Sequence, residues 1–188
     1  MVVNNSERVV YSGKIFEVIQ KPVRIAGKEI MFEKVRRSPG VRLLIINQNK
    51  ILITKEYREE HGNFDYRLPG GKVFDSLQKY LSFVQEKRDI LTAAMNAAQK
   101  ECQEETGLIP LKLKHIYTTS PSATVQWDLF YFLIEEYKEN HHGQKLEPGE
   151  QISLEWKTIA EVQEMCLNGT ISEERTAMIL LRFLSEKK

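Results

Sequence analysis

Between Lys100 and Leu108 the chain reads KECQEETGL, three glutamates within five residues followed by Thr106-Gly107. Apolar residues at helical spacing precede and enter it, with Leu91, Met95, Ala98 and Cys102 forming one stripe of a helix predicted over Ile90 to Thr106. Gly107 supplies its stop. Glu101, Glu104 and Glu105 stand at i, i+3 and i+4, so they share the opposite side. Such a helix must lie on a core by one face and find partners for like charges on the other. At this spacing each like pair repels by some tenths of a kcal/mol, and the adjacent Lys100 is expected to point elsewhere. Two readings follow: a solvated helix face, or a site for a hard divalent ion such as Mg²⁺, bound through carboxylate oxygens, waters and phosphates. The upstream turn Leu68-Pro69-Gly70-Gly71 favours the second, because a glycine turn leaves carbonyls free to complete a coordination shell.

Residues 9 to 35 alternate loosely and are broken by turn signals at Ser12-Gly13 and Ala26-Gly27, which predicts a small antiparallel strand system. Val41–Ile46 and Ile51–Thr54 are β-rich runs hinged at Asn47–Lys50, a hairpin signature. Leu77, Tyr80, Leu81 and Val84 recur at i, i+3, i+4 and i+7 and predict an amphipathic helix. LKLKHIYTTSPS and VQWDLFYFLIEEY read as two further strands, residues 138–151 as a polar loop and SLEWKTI as a last short strand. Terminal helices are expected over residues 159–169 and 172–188. The order predicts one α/β domain with an N-terminal β extension: residues 1–38 are the extension and 39–188 the domain.

Lys plus Arg total 27 against 26 Asp plus Glu, which excludes the large basic field of a dedicated nucleic-acid binder. Cys102 and Cys166 form no CxxC pair and read as free thiols in a reducing compartment. The first residues lack a basic segment followed by an apolar run, and no stretch approaches the roughly 20 apolar residues of a membrane span. The expectation is a cytoplasmic protein with no membrane partner.

GGKV followed by AAQKECQEETGL resembles the Nudix box, G-x5-E-x7-R-E-U-x-E-E-x-G-U with U aliphatic. Gly71 matches its first glycine; Glu101, Glu104, Glu105, Gly107 and Leu108 match its closing half, with Cys102 at the first U. VRRSPGVRLLII, ILITKEYR, YRLPGGKV, TSPSA and GTISEERTAMILLRFL are similar to the ADP-ribose pyrophosphatase branch of that family. The resemblance implies an α/β/α sandwich with a mixed sheet. It also implies Mg²⁺- or Mn²⁺-dependent hydrolysis of ADP-ribose, or a related nucleoside diphosphate sugar, to a nucleoside monophosphate and a sugar phosphate. GDP-mannose or a dinucleotide is the nearest other substrate, and a non-catalytic nucleotide sensor the other class.

As the resemblance implies, Glu101, Glu104, Glu105 and the Gly70 carbonyl are metal ligands, and the general base is a glutamate of the late loop, Glu150 ahead of Glu147. Arg58 would contact substrate. Glu33, Arg36 and Arg37 lie where this branch builds a homodimer and contacts the adenine or ribose; surface charge is their other reading. Gln126 stands where relatives carry a glutamate. Trp127 and Trp156 read as packing residues, and His141-His142 as a solvated pair. The sequence departs from the pattern at three points. Lys100 replaces the arginine, Thr92 or Leu77 falls where the upstream glutamate belongs, and Gly71 and Glu101 stand about twice as far apart as in the family, which makes the helical segment at about 76–90 an insertion.

Overall fold

The computed structural model describes residues 7–59 and 62–186; the first six residues of the predicted extension and the last two of the terminal helix lie outside them. Strands β1 (Arg8–Ser12), β2 (Phe16–Ile25) and β3 (Lys28–Arg37) form the antiparallel extension. Ala26 and Gly27 link β2 to β3 with φ of 49° and 79°, the backbone twist that suits a two-residue hairpin. A fourth strand, β8 (Val125–Gln126), joins β3 in parallel. The sheet of the extension thus takes one strand from far beyond residue 38.

β4 (Gly40–Asn47) and β5 (Lys50–Arg58) meet through Gln48 and Asn49, both left-handed, as the expected hairpin. They pair only at Ile46–Ile51 and Asn47–Lys50 before diverging. β4 then runs parallel to β9 (Leu129–Glu139), whereas β5 pairs with β6 (Asn63–Arg67) and β10 (Ile152–Thr158). With β7 (Leu108–Thr119) the order is β10-β5-β4-β9-β7. VQWDLFYFLIEEY is therefore two strands in two sheets. The break falls at Trp127-Asp128, where the Asp128 carbonyl accepts the Gly40 N–H at 2.9 Å and commits the chain beyond it to β4.

The helices are α1 (Leu77–Gln85), α2 (Ile90–Thr106), α3 (Ile159–Leu167) and α4 (Glu174–Glu186). Along β4 the side chains alternate between two cores. Val41, Leu43 and Ile45 join Phe130, Phe132 and Ile134 beneath α2, whereas Leu44 joins Ile51, Ile53 and Tyr131 beneath α3 and α4. This is the expected α/β/α sandwich with a mixed sheet. No helix among the described residues is long and apolar enough to cross a membrane.

Two predicted stripes are rotated. α2 is buried through Ala94, Ala97, Ala98 and Cys102, and Met95 is exposed; alanines let the helix lie close to the sheet, and Met95 falls beyond the edge of that face. α1 buries Leu77 and Phe83 and leaves Val84 exposed. Phe74, just before the helix, draws the face round: its ring lies 4.9 Å from Phe83 and 5.6 Å from Tyr80. The insertion is thus packed on the domain, with the Leu77 N–H donating to the Lys14 carbonyl of the extension.

Candidate active site

The Pro69-Gly70-Gly71 turn is threaded between β4 and α2. Leu43 N–H donates to the Pro69 carbonyl at 2.8 Å and Val41 N–H to that of Gly71 at 2.9 Å, while the Gly70 carbonyl accepts no hydrogen bond among the described residues. Gly70 has φ of 146°, and a Cβ there would lie 2.2 Å from the Val41 carbonyl oxygen; a Cβ on Gly71 would lie 2.2 Å from Glu101 Oε1. Gly70 therefore requires glycine, since its Cβ would meet the β4 backbone, whereas at Gly71 the missing Cβ leaves the room that the Glu101 carboxylate occupies.

α2 is set for this meeting by its ends. The Asp89 carboxylate accepts the Leu91 and Thr92 N–H groups as N-cap, and Gly107, at φ 67°, closes the C-terminus. Glu105 Oε2 accepts the Gly70 N–H at 2.6 Å. Burial pushes the Glu105 carboxyl up to about 8, with Glu101 repulsion adding to it and the Gly70 bond and Arg42 opposing. Burial likewise raises Glu101 to about 7, against the pull of Lys100 and with the charges of Glu104, Glu150 and Glu147 reinforcing it. Lys100 does not point elsewhere as expected: its Nζ is 3.1 Å from Glu104 Oε2, one helical turn away. The acidic face is therefore divided, with Glu101 and Glu105 on the glycine turn and Glu104 on Lys100.

The polar loop of residues 140–151 is docked on the end of α2. Asn140 N–H donates to the Gly107 carbonyl at 2.8 Å, Lys145 N–H to that of Glu104 at 2.8 Å, and the Gln144 amide to that of Glu105 at 2.5 Å. A Cβ on Gly107 would lie 2.8 Å from the Gly143 carbonyl carbon, so the helix stop is also the seat of the loop. Glu150 accepts the Glu147 N–H at 2.8 Å. The loop thereby sets Glu147 and Glu150 where their charges bear on Glu101.

The donor set is all oxygen, which suits a hard divalent cation. Glu101 and Glu105 are two crowded carboxylates whose ionisation burial and mutual repulsion oppose, a tension that a cation relieves. Among the described residues no three acidic, histidine or cysteine side chains converge on one point, and Glu104 is held apart from Glu101 and Glu105 by Lys100.

Beside this face lies a set of arginines. Arg42, buried on β4, makes a bidentate pair with Glu173 just before α4, at 2.8 and 2.7 Å. Burial opposes the Arg42 charge, but the hydrogen bonds and charge of Glu173 raise its pKa above the ordinary value. Arg58 is paired to Glu56 at 2.6 Å, with Asp65 at 3.8 Å, at the end of β5. Arg37 lies 4.1 Å over the Trp127 ring and Arg175 4.3 Å from its centroid. Trp127 is thus a seat for arginines, not only the packing residue expected.

A pocket of about 320 Å³ gathers Arg37, Tyr80, Ser120, Ser122, Gln126 and Asp128. Two expected substrate contacts, Arg37 and Gln126, share it. Glu33 does not: it accepts the Gln20 amide at 2.6 Å on the exposed extension, and neighbouring Arg36 is tied to Glu17 at 2.5 Å. Trp156 stacks on Tyr137 at 6.4 Å. A larger cavity of about 620 Å³ between α1 and α2 is lined in part by Lys72, Phe74, Thr92 and Lys100. The two box positions that depart from the family pattern therefore open onto space made by the insertion. No local spacing signals Arg42–Glu173, 131 residues apart, or Arg175 and Asp128; Tyr80 was legible as helical but only as a core position.

The NUDIX domain model matches residues 36–177. The chain is 25% identical over 180 residues to the CMP-5'-(N-acetyl-N-hydroxy-3-aminopropyl)phosphonate hydrolase of Streptomyces rubellomurinus (strain ATCC 31215), covering 95% of this chain and 80% of the relative. A solved structure described as an ADP compounds hydrolase superposes with a TM-score of 0.72 at 14% identity, over 97% of this chain and 92% of that one. The domain match covers more than half of the chain, on a sandwich that sets Glu101 and Glu105 against the Gly70-Gly71 turn, and the chain belongs to the Nudix family of hydrolases.

Proposed function

We propose that the protein cleaves the diphosphate linkage of ADP-ribose or a related nucleoside diphosphate sugar, releasing a nucleoside monophosphate and a sugar phosphate. The observation that carries this is the pair of half-buried carboxylates, Glu101 and Glu105, held against a turn whose backbone packs on both β4 and α2. These two, with Glu104 and the Gly70 carbonyl, would hold a divalent cation, Mg²⁺ or Mn²⁺. When bound, that cation neutralises diphosphate charge and acidifies the attacking water. Glu150 takes the proton from that water, with Glu147 as the other candidate; both sit on a loop joined to α2 through backbone contacts, and Glu150 must exchange its bond from the Glu147 N–H for the water. Arg37 and Gln126 line the neighbouring pocket and contact the substrate beyond the diphosphate; Arg58 stands at the end of β5 as a further substrate contact, and Glu33 reaches substrate only through a second copy of the chain.

The extension exposes Val10, Tyr11, Ile30 and Phe32. An apolar surface of this kind on a β arm supports a homodimer built through residues 1–38. The two free cysteines support a cytoplasmic location. The test is release of monophosphate from a panel of nucleoside diphosphate sugars with and without Mg²⁺. Cation-dependent cleavage of at least one member supports the reading; ligand binding without turnover refutes it in favour of a nucleotide sensor.

A further inference from the structure

We infer that the 320 Å³ pocket beneath Arg37 is a subsite for an anionic group, a phosphate or a carboxylate, carried by the substrate beyond the hydrolysed diphosphate, with Tyr80 of the insertion forming one wall. The inference rests on the hydrolase reading above and names its substrate class.

The first observation is an unused guanidinium. Arg36, Arg42 and Arg58 are each paired to a carboxylate, Glu17, Glu173 and Glu56. Arg37 is half-buried, its Nε is buried with no hydrogen-bond partner, and no carboxylate of the described residues lies within ion-pair distance of it. Arg175 Nη2 is likewise buried without a partner, its Nη1 being spent on the Trp127 carbonyl at 2.8 Å. Trp127 holds Arg37 by its face, which fixes the guanidinium plane and leaves the edge for a bidentate partner. Burying a cation in this way is costly unless something completes it.

The second observation is the surplus of positive charge. Burial lowers the Arg37 pKa first, Arg42 and Arg175 lower it further, and Glu173 only partly offsets them. Glu173 is already engaged by Arg42 and the Thr176 hydroxyl. On the pocket wall Asp128 is the one acid, and the Ser120 hydroxyl donates to it. Burial and the Asp128 charge raise the Tyr80 pKa, so its hydroxyl stays protonated and can donate to a ligand.

The third observation is position. Gly40 N–H donates to the Asp128 carbonyl at 2.9 Å, and a Cβ on Gly40 would lie 3.0 Å from the Gly71 carbonyl oxygen. One strand end therefore joins the pocket to the glycine turn, and a volume of about 320 Å³ suits one sugar-sized group. Planar guanidinium forks match carboxylate and phosphate bidentately, which makes the anion, and not a neutral sugar, the group that completes Arg37.

The experiment compares one nucleoside diphosphate joined to glucose with the same diphosphate joined to glucuronate, the base being whichever the panel turns over fastest. Wild type is expected to favour the glucuronate by about tenfold or more in kcat/KM, mainly through KM, as a charge-assisted bidentate contact allows. Arg37→Gln should collapse that ratio to near one, and Arg37→Lys, which keeps charge but loses the fork, should fall between. Equal kcat/KM in wild type, or a preference that survives Arg37→Gln, overturns the subsite. If neither compound is cleaved, the hydrolase reading stands or falls on the panel alone, and the same pair, then intact and with adenine as the base where the panel shows no turnover, decides by calorimetry. Tighter glucuronate binding by wild type that is lost in Arg37→Gln supports the subsite, and equal binding overturns it.

Discussion

Replacing Glu105 by Gln should stabilise the metal-free protein while disabling it. The side chain is half-buried, accepts the Gly70 N–H at 2.6 Å and has its carboxyl raised to about 8 from 4.5. A raised carboxyl means that the folded state holds a proton the unfolded chain has released, so stability is highest below about pH 4.5 and falls as pH rises toward 8. At pH 7 that interval is about 2.5 units, worth at most about 3–4 kcal/mol at 1.36 kcal/mol per unit. Gln keeps an oxygen for the Gly70 N–H, removes the charge and lets its amide donate to Glu101, whose charge bears on this site. At roughly 2–4 °C per kcal/mol for a chain of this size, Glu105→Gln should raise Tm by several degrees at pH 7.5 in EDTA. The gain should vanish near pH 4.5, and adding Mg²⁺ should stabilise wild type more than the variant. Loss of one catalytic electrostatic contact costs on the order of a hundredfold in kcat. Thermal melts across pH 4.5–8.5, paired with turnover, check both halves. A lower Tm for the variant at pH 7.5, or a pH-independent wild-type Tm in EDTA, would refute the reasoning.

Gly71→Ala places a Cβ 2.2 Å from Glu101 Oε1; it should displace that carboxylate and weaken Mg²⁺ affinity at least about tenfold, read by metal titration of activity, with the fold retained by circular dichroism. Glu173→Gln leaves Arg42 buried and half-paired, so it should destabilise by about 3 kcal/mol or more in urea unfolding without removing any metal ligand. Glu150→Gln and Glu147→Gln, assayed at saturating Mg²⁺ and substrate, should separate the general base: the true one loses kcat with KM kept. Normal turnover by both moves the role to the box glutamates.

Local chemistry was legible and long-range pairing was not. The Gly107 stop, the i, i+3, i+4 glutamates and the glycine turn are near-neighbour signals, and they placed α2 and its acidic face where the structure has them. A general base on the late loop is what the family resemblance implies; the docking of that loop on the end of α2 had no signal in the spacing. The Lys100–Glu104 contact is an i, i+4 pair that helical geometry offers, yet reading Lys100 as merely adjacent to Glu101 hid it. Met95 and Val84 outweigh Ala94 and the single Phe83 in a hydrophobic pattern, so both stripes were drawn one step off the buried face. The split at Trp127-Asp128 is set by the partner Gly40, not by any local breaker, and an apolar run spanning it reads as one strand. The arginine cluster joins β3, β4, β8–β9 and α4, residues that meet only once the sandwich closes.

The central claim is that a cation held by Glu101 and Glu105 drives cleavage of a diphosphate linkage. It is tested most directly by following monophosphate release from ADP-ribose and the nucleotide-sugar panel while Mg²⁺ or Mn²⁺ is titrated into metal-stripped wild type and the Glu101→Gln, Glu105→Gln double variant. Wild type should be inactive without the ion and saturate with it, yielding monophosphate and sugar phosphate in equal amounts, and the double variant should stay inactive at every concentration. Cleavage in EDTA, or a double variant that turns over at the wild-type rate, would contradict the assignment.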